Sequence, residues 1–306
     1  MNKKKTAIIL VNWNSFDYTH ECIESLHQIQ DADFDIIIVD NGSQDHSGTR
    51  LKEQHPDILL IESDSNLGFT GGNNLGLQYS LEQDYQYSLL LNNDTVVEPD
   101  FLGVLTTYMD AHPRAGAIQP KIFYYHNRSV LWDGGSYFNA LLGIAYTSGH
   151  GKKPSEKHTI LKKVDWVTGC AFFTRNSILK ETGLLASNFF IYYEDVDLSF
   201  RIKKLGYELI YHPGSVIYHI AGVSNKKTTK DKEGFVNPIV HYLNTRNRIW
   251  LLKEHTPIIF APTVTIYTFF YTVAVMLYFT ARLRFKKLAA VSRAIKDGLT
   301  GTVKYN

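Results

Sequence analysis

The chain has 306 residues, the length of one large α/β domain with an appendage or of two average domains. Lysine plus arginine number 32 against 30 aspartates and glutamates, and a net charge of +2 excludes a protein that wraps nucleic acid by bulk charge. At 44% hydrophobic and 20% charged residues a packed core is expected and wholesale disorder excluded, while Cys22 and Cys170, the two cysteines present, exclude a disulfide scaffold and a four-cysteine zinc site and suit a reducing cytoplasm.

Lys3, Lys4 and Lys5 precede the apolar run Ala7-Ile8-Ile9-Leu10-Val11, the order found in export signals. The run is short for a signal core and stops at Asn12 and Asn14 without a small-residue cleavage pattern, so it reads as a buried first strand of a chain kept inside the cell. Strand-like runs Thr6–Val11, Asp35–Val39, Ile58–Ile61 and Tyr87–Leu91 alternate with helical spacing over Tyr18–Gln30, Asp45–Gln54 and Asn73–Gln83. The strands are continuously apolar, as in a parallel sheet covered on both faces. An α/β fold follows: a doubly wound, mostly parallel sheet with helices on both faces. From about Ala115 to Phe173 the chain is rich in Gly, Tyr and short strand-like runs, with a basic stretch at Lys152–Lys163, and reads as a smaller, less regular subdomain. Beyond Asn237 it turns helical. The expected organisation is a first half over 1–114, a second half of the same domain over 115–235, and a helical, membrane-associating region over 236–306.

Ligands of such sheets bind beyond the carboxyl ends of the strands. Four successive ends carry Asn12-Trp13-Asn14, Asp40-Asn41-Gly42-Ser43, Asn66 through Gly72, Asn73 and Asn74, and Asn92-Asn93-Asp94. Each alone suits a simple turn, but their convergence on amide, glycine and carboxylate chemistry marks a polar ligand site. Asp40 can accept from a ribose or a base edge, or can cap an Asx-turn. Asp94 can hold a hard divalent cation whose other ligands are phosphate and water. Its alternative is to cap the helix expected near Pro99, with Thr95 and Glu98 as rivals.

Glu194-Asp195-Val196-Asp197 follows an aromatic run and precedes a helix expected over Leu198–Leu205. Asp197 and Arg201 are spaced as an i,i+4 ion pair. Three clustered acids repel and raise the proton affinity of at least one, which suits a general base. His212 reads as structural, whereas His219 ends a strand-like run where it can complete a metal shell. No phosphate loop, dinucleotide fingerprint or serine nucleophile elbow occurs, which leaves a nucleotide-plus-metal site with a nearby base.

Taken together and in this order, these segments, with Val167-Thr168-Gly169, Tyr218-His219 and Tyr242 through Asn247, resemble the inverting family 2 glycosyltransferases of GT-A fold, and among them the bacterial rhamnosyltransferase-like branch. The resemblance covers about residues 6 to 250. It implies that Asp40 and the Asn12 region, with Asn14, Asn41, Asn66, Gly72, Asn73, Asn92 and Asn93, hold a nucleotide-diphosphate sugar. It makes Asp195 the catalytic base, Asp94 and His219 ligands of Mg2+ or Mn2+, and Trp166, Gly169, Glu194 and Arg201 acceptor or support residues. Asn92 stands where the family's metal motif has its first carboxylate. The motif of processive members, Gln-x-x-Arg-Trp, is missing, so single additions are implied. The implied activity is inverting transfer of L-rhamnose from dTDP-rhamnose, or of a hexose or galactofuranose from UDP, onto a glycan or polyprenyl-linked acceptor in cell-surface polysaccharide synthesis. A non-catalytic glycan-binding or scaffold protein on the same fold is the alternative of another class.

Thr256–Ala281 lacks charge and is long enough to span a bilayer. The basic residues after it, Arg282 through Lys287, Arg293 and Lys296, would then lie outside, against the positive-inside tendency. A peripheral, monotopic or re-entrant attachment to the cytoplasmic face of the inner membrane is therefore expected, with a basic helix over Leu283–Leu299 on anionic headgroups, and a single span is the alternative. The same helices are a candidate homo-oligomer interface, and no nucleic-acid partner is expected.

Overall fold

A computed structural model describes residues 5–30, 32–221, 226–231 and 233–302. It comprises two compact units, one of Met1–Tyr137, Thr147–Phe190 and Glu194–Ala221, the other of Phe138–Tyr146, Ile191–Tyr193 and Gly222–Asn306. The second unit thus takes up two short insertions that the sequence reading left in its 115–235 half.

In chain order the first unit begins with β1 (Thr6–Asn12), α1 (Phe16–Leu26), β2 (Phe34–Asp40), α2 (Ser47–Gln54), β3 (Leu59–Glu62), α3 (Gly68–Glu82) and β4 (Tyr87–Leu91). It continues through β5 (Thr95–Val97), α4 (Phe101–Ala111), β6 (Ala115–Tyr124) and β7 (Asn127–Asp133). A separate two-stranded sheet pairs β8 (Ser136–Asn139) with β9 (Ile144–Thr147). Then come β10 (Lys162–Lys163), β11 (Ala171–Arg175), α5 (Asn176–Thr182), α6 (Glu194–Lys204) and β12 (Glu208–His219). The main sheet runs β10-β12-β6-β11-β4-β1-β2-β3, with β5 added to β12 and β7 to β6. β1, β2, β3 and β4 are parallel, as are β6 and β12, whereas β11 is antiparallel to both β4 and β6. The stretch expected to be a smaller subdomain therefore supplies central strands of this same sheet.

Alternation along each strand splits its side chains between two cores. Ile8, Leu10, Ile36, Ile38, Leu89 and Leu91 pack with Cys22, Ile23 and Leu26 of α1 and with Phe101, Leu105 and Met109 of α4. Ala7, Ile9, Ile37, Val39 and Leu90 pack with Leu77 of α3, Ile178 of α5 and Leu198 and Ile202 of α6. Both faces are covered, which is why the strands carry no polar alternation.

Pairing also fixes what meets at the strand ends. Asn12 is in register with Asp40. The antiparallel β11 sets Ala171 opposite Leu91, so the Asn92 amide donates to the Cys170 carbonyl at 2.9 Å. β12 sets His219 opposite Thr95, and the Ile220 amide donates to the Asp94 carbonyl at 3.0 Å.

α3 starts at Gly68, five residues before the expected Asn73, so Gly71, Gly72 and Asn73 lie in helix and not in a loop. Gly68 enters it at φ +73°, open to glycine, and the later glycines let the helix press onto β1. A Cβ on Gly72 would lie 2.8 Å from Val11 Cγ1, and one on Gly76 2.4 Å from Ile9 Cγ2. Likewise α6 begins at Glu194, which puts the acidic cluster in its first turn where the helix dipole favours negative charge.

The second unit contains β13 (Lys226–Asp231) paired with β14 (Gly234–Val236), then α7 (Pro238–His255), α8 (Ala261–Ala281) and α9 (Phe285–Thr300). The Tyr242 hydroxyl of α7 donates to Asp297 of α9 at 2.7 Å, and the carboxylate of Glu233 accepts from the amides of Lys286 and Lys287 at the head of α9. Lys287 is buried, so of the basic residues expected on a headgroup-facing helix it is the exception; Lys286, Arg293 and Lys296 are exposed. Ile258–Ala281 is long and apolar enough to cross a membrane, with mean hydropathy 1.7, and is only 6% buried. Ile259, Ile266, Phe269, Phe270 and Leu277 are all exposed.

Gly76→Ala tests the contact of α3 with β1. Alanine is the better helix former, but its methyl would collide with the fully buried Ile9. A net loss of about 2 kcal/mol is expected, read from the urea midpoint.

Candidate active site

The site grows from one buried carboxamide. Asn12 Nδ2 donates to Asp40 Oδ1 at 2.8 Å and to Ser47 Oγ at 2.7 Å, and lies 3.3 Å from Ser43 Oγ. Its Oδ1 accepts from Thr19 Oγ1 at 2.9 Å, and Thr19 Oγ1 in turn accepts from Asn93 Nδ2 at 2.7 Å. Ser43 Oγ also donates to Asp40 and accepts from the Asn14 amide at 2.9 Å; Asn14, at φ 48°, accepts from the Gln44 amide through Oδ1. A second cluster sits beside it. Asn41 Nδ2 donates to Asn66 Oδ1 and to the Gly68 carbonyl, both at 3.1 Å, while the Leu67 amide donates to Asn41 Oδ1. Asn73 Nδ2 donates to the Phe69 carbonyl at 2.8 Å. Asn12, Asn41, Asn66 and Asn73 therefore build the walls, and Asp40, 8% exposed, is the carboxylate among them.

Beyond β4 the structure brings Asn92, Asp94 and His219 together. His219 Nε2 is 3.1 Å from Asp94 Oδ1 and 3.3 Å from Asn92 Nδ2, and the edge of Trp132 meets the imidazole at 4.6 Å between centroids. His219 is buried, and its Nδ1 has no hydrogen-bond partner. Two donors bound cis to one octahedral ion at 2.0–2.1 Å stand roughly 3 Å apart, so the Asp94–His219 spacing fits a shared divalent cation. Asn92 adds an amide where a second carboxylate would bind more strongly. Neither Thr95 nor Glu98 caps α4; Asp100 occupies its N-cap without a side-chain bond.

Across β11 lies the acidic turn. Asp195 Oδ2 accepts from the Gly169 amide at 2.8 Å and Oδ1 from the Val196 amide at 2.8 Å. Burial pushes its pKa above the usual carboxylate range, and those amide bonds oppose the shift. Glu194 is raised further, first by burial and then by the charge of Asp195, and its Oε2 is enclosed without a partner. Burial thus shifts both acids toward the protonated form, and the amide bonds to Asp195 favour its ionised state. Gly169 keeps this approach open, since a Cβ there would lie 3.1 Å from the Phe69 ring and 3.5 Å from Asp195 Cβ. Burial, and after it the charge of Asp94, raises the thiol of Cys170 well above its ordinary value.

Other predicted residues are taken up by architecture. Arg201 bonds Asp197 through Nε at 2.9 Å and Nη2 at 2.8 Å, and spends its remaining donors on the Thr182 and Leu184 carbonyls, a support role. Trp166 Nε1 donates to the Tyr137 carbonyl at 2.9 Å. Asp133 accepts from the Gly135 amide and Ser136 Oγ at 2.7 Å, and burial pushes it up to about 6. His212 lies against Tyr108, edge to face, and lines a recess of about 640 Å³ beside α4 that holds none of the predicted site residues. Sequence reasoning missed Thr19 and Ser47, hydroxyls within helices whose only signal is their distance from Asn12 in space. It also missed the strain before the acidic turn: Phe190, Tyr192 and Tyr193 all have positive φ (67°, 75° and 71°). Asn247 Nδ2 holds the Ile191 and Tyr192 carbonyls at 2.8 and 3.0 Å within the second unit.

Residues 7–183 match the family model described as glycosyl transferase family 2. Among curated proteins the chain is similar to the low-salt glycan biosynthesis hexosyltransferase Agl10 of Haloferax volcanii, 30% identical over 65% of this chain and 61% of that protein. It thus spans about three-fifths of that relative's length. It is also similar to the N-acetylglucosaminyl-diphospho-decaprenol L-rhamnosyltransferase of Mycobacterium tuberculosis, 24% identical over 69% of this chain and 75% of that one. Among solved structures, the mannosyltransferase PcManGT of Pyrobaculum calidifontis, in complex with GDP-Man and Mn2+, shares the fold at a TM-score of 0.57 and 13% identity, over 99% of this chain and 77% of that one.

The elevated Glu194 pKa predicts a pH-dependent stability. The folded value exceeds the unfolded one, so this group's contribution is fully present below the ordinary carboxylate range and is lost as pH rises through the folded value. Glu194→Gln fixes the neutral state. Its melting temperature should gain on wild type as pH rises from 4 to 8, whereas parallel curves would show that Glu194 is not held protonated.

Proposed function

Because the chain belongs to glycosyl transferase family 2, we propose that it is an inverting glycosyltransferase that moves one sugar from a nucleotide-diphosphate donor to a hydroxyl of a glycan or polyprenyl-linked acceptor. The observation that carries the reading is that the Gly169 amide holds the buried Asp195 carboxylate while the carbonyl of the next residue, Cys170, accepts from the Asn92 amide beside the Asp94–His219 pair. L-Rhamnose from dTDP-rhamnose is the proposed sugar, supported by the decaprenol rhamnosyltransferase relative, which also supports a lipid-linked acceptor. A hexose donor is the second reading, favoured by the relative named a hexosyltransferase.

In this mechanism Asp40 and the Asn12 and Asn41 clusters orient the nucleotide. Asp94 and His219 would hold Mg2+ or Mn2+, which supplies charge neutralisation to the departing diphosphate. Asp195 accepts the proton of the acceptor hydroxyl as its oxygen bonds the anomeric carbon and the bond to the diphosphate breaks on the opposite face. One displacement inverts the centre. The amides of Gly169 and Val196 keep the oxygens of the Asp195 carboxylate in place. The exposed apolar face of α8, with the exposed cations of α9, suits attachment to the cytoplasmic face of an anionic membrane near a lipid-linked acceptor.

Asp195→Asn should lower transfer by about 10²–10⁴-fold while nucleotide binding stays within a few-fold, by calorimetry. Equal loss of both would make Asp195 structural. A panel of dTDP- and UDP-sugars assayed for metal-dependent transfer or hydrolysis identifies the donor, and turnover of none of them would favour a binding or scaffold role.

A further inference from the structure

α1 carries His20 and Glu24 one turn apart on the same face. His55, the residue that ends α2, is 4% exposed and faces them. His20 Nδ1 and His55 Nε2 are 2.8 Å apart, and His55 Nδ1 is 3.7 Å from Glu24 Oε1. Among the described residues this is the one group of three such side chains whose ligand atoms all lie within 4.8 Å of one another. It shares no residue with the Asp94–His219 pair. His27, the C-cap of α1, stands by with its ring 5.4 Å from that of His55, oriented by Asp57 at 3.0 Å.

We propose that His20, Glu24 and His55 form a transition-metal site for Zn2+, outside the donor site. Two imidazoles and a carboxylate are the donor set zinc takes in three-residue sites, with water in the fourth position, whereas magnesium selects oxygen. Ligands of a tetrahedral zinc stand roughly 3.3 Å apart, so the imidazoles need part by only about 0.5 Å. His55 would bind through one ring nitrogen, Nε2, which faces His20, and the exposed Glu24 would turn from the Nδ1 side of the ring to reach the same ion. The ion would staple the middle of α1 to the end of α2. Those two helices also carry Thr19, next to His20, and Ser47, the two hydroxyls that hold Asn12. Metal at this site would therefore stiffen the walls of the nucleotide pocket from behind, whatever sugar the enzyme transfers.

The test is Zn2+ titration of the tag-free full chain by calorimetry, together with melting temperature. Wild type should bind one equivalent that Mg2+ does not displace, with a rise in melting temperature. His20→Gln and Glu24→Gln alter side chains at least partly exposed and should fold; each should weaken zinc by at least tenfold and abolish the thermal shift. Asp94→Asn should retain both. Wild-type zinc affinity and thermal shift in His20→Gln would overturn the proposal, as would their loss in Asp94→Asn.

Discussion

The carboxamide of Asn12 is the joint on which the strand-end chemistry rests. It is fully buried at the tip of the strand flanked by β2 and β4, where an unpaired amide would cost about 1–3 kcal/mol. Its bonds to Asp40, Ser47 and Thr19 tie β2, α2 and α1 to β1, and Thr19 extends the tie to Asn93 beyond β4. Few other side chains can both donate twice and accept once in this space. The side chains at the point where the sheet reverses its winding, between β1 and β4, are therefore fixed by one another.

On that frame two acidic environments differ in a way that suits division of labour. Asp94 has an imidazole as neighbour and a partial opening to solvent. Asp195 and Glu194 are enclosed, and burial dominates their proton affinity. A carboxylate paired with a nitrogen base suits cation binding, and an enclosed carboxylate with fixed amide donors suits proton transfer. The antiparallel β11 makes both possible, because it returns the chain past β4 and delivers Gly169 and Cys170 between the two groups.

Much of this was legible in the sequence. The doubly wound sheet could be read because strands covered on both faces must be apolar throughout, and the loops that matter had to lie at their ends. The family resemblance was carried by the same loops, and the match of residues 7–183 bears it out. What could not be read was set by tertiary contact. The helical start at Gly68 was hidden because glycines argue against helix locally, yet here they are selected by the approach of Val11 and Ile9. The acids of α6 were read as preceding a helix from Leu198, whereas they form its first turn, where the helix dipole and the amides of Gly169 and Val196 offset their repulsion. The short strand-like runs between Ala115 and Phe173 were legible, but the Gly- and Tyr-rich segments around them hid their place in the main sheet. The roles of Thr19 and Ser47 had no local signature, since a hydroxyl within a helix is ordinary until its partner is known.

The two sulfhydryls are sealed in the interior, and the thiol of Cys22 is pushed up to about 12, mainly by burial. Neither forms the reactive thiolate at neutral pH. A cysteine introduced at Trp13, which is 48% exposed and adjoins Asn12, would then be the only accessible attachment point for a dye. One fluorophore per molecule, placed beside Asn12 at the strand ends, would report ligand binding there in real time without either native cysteine having to be removed first.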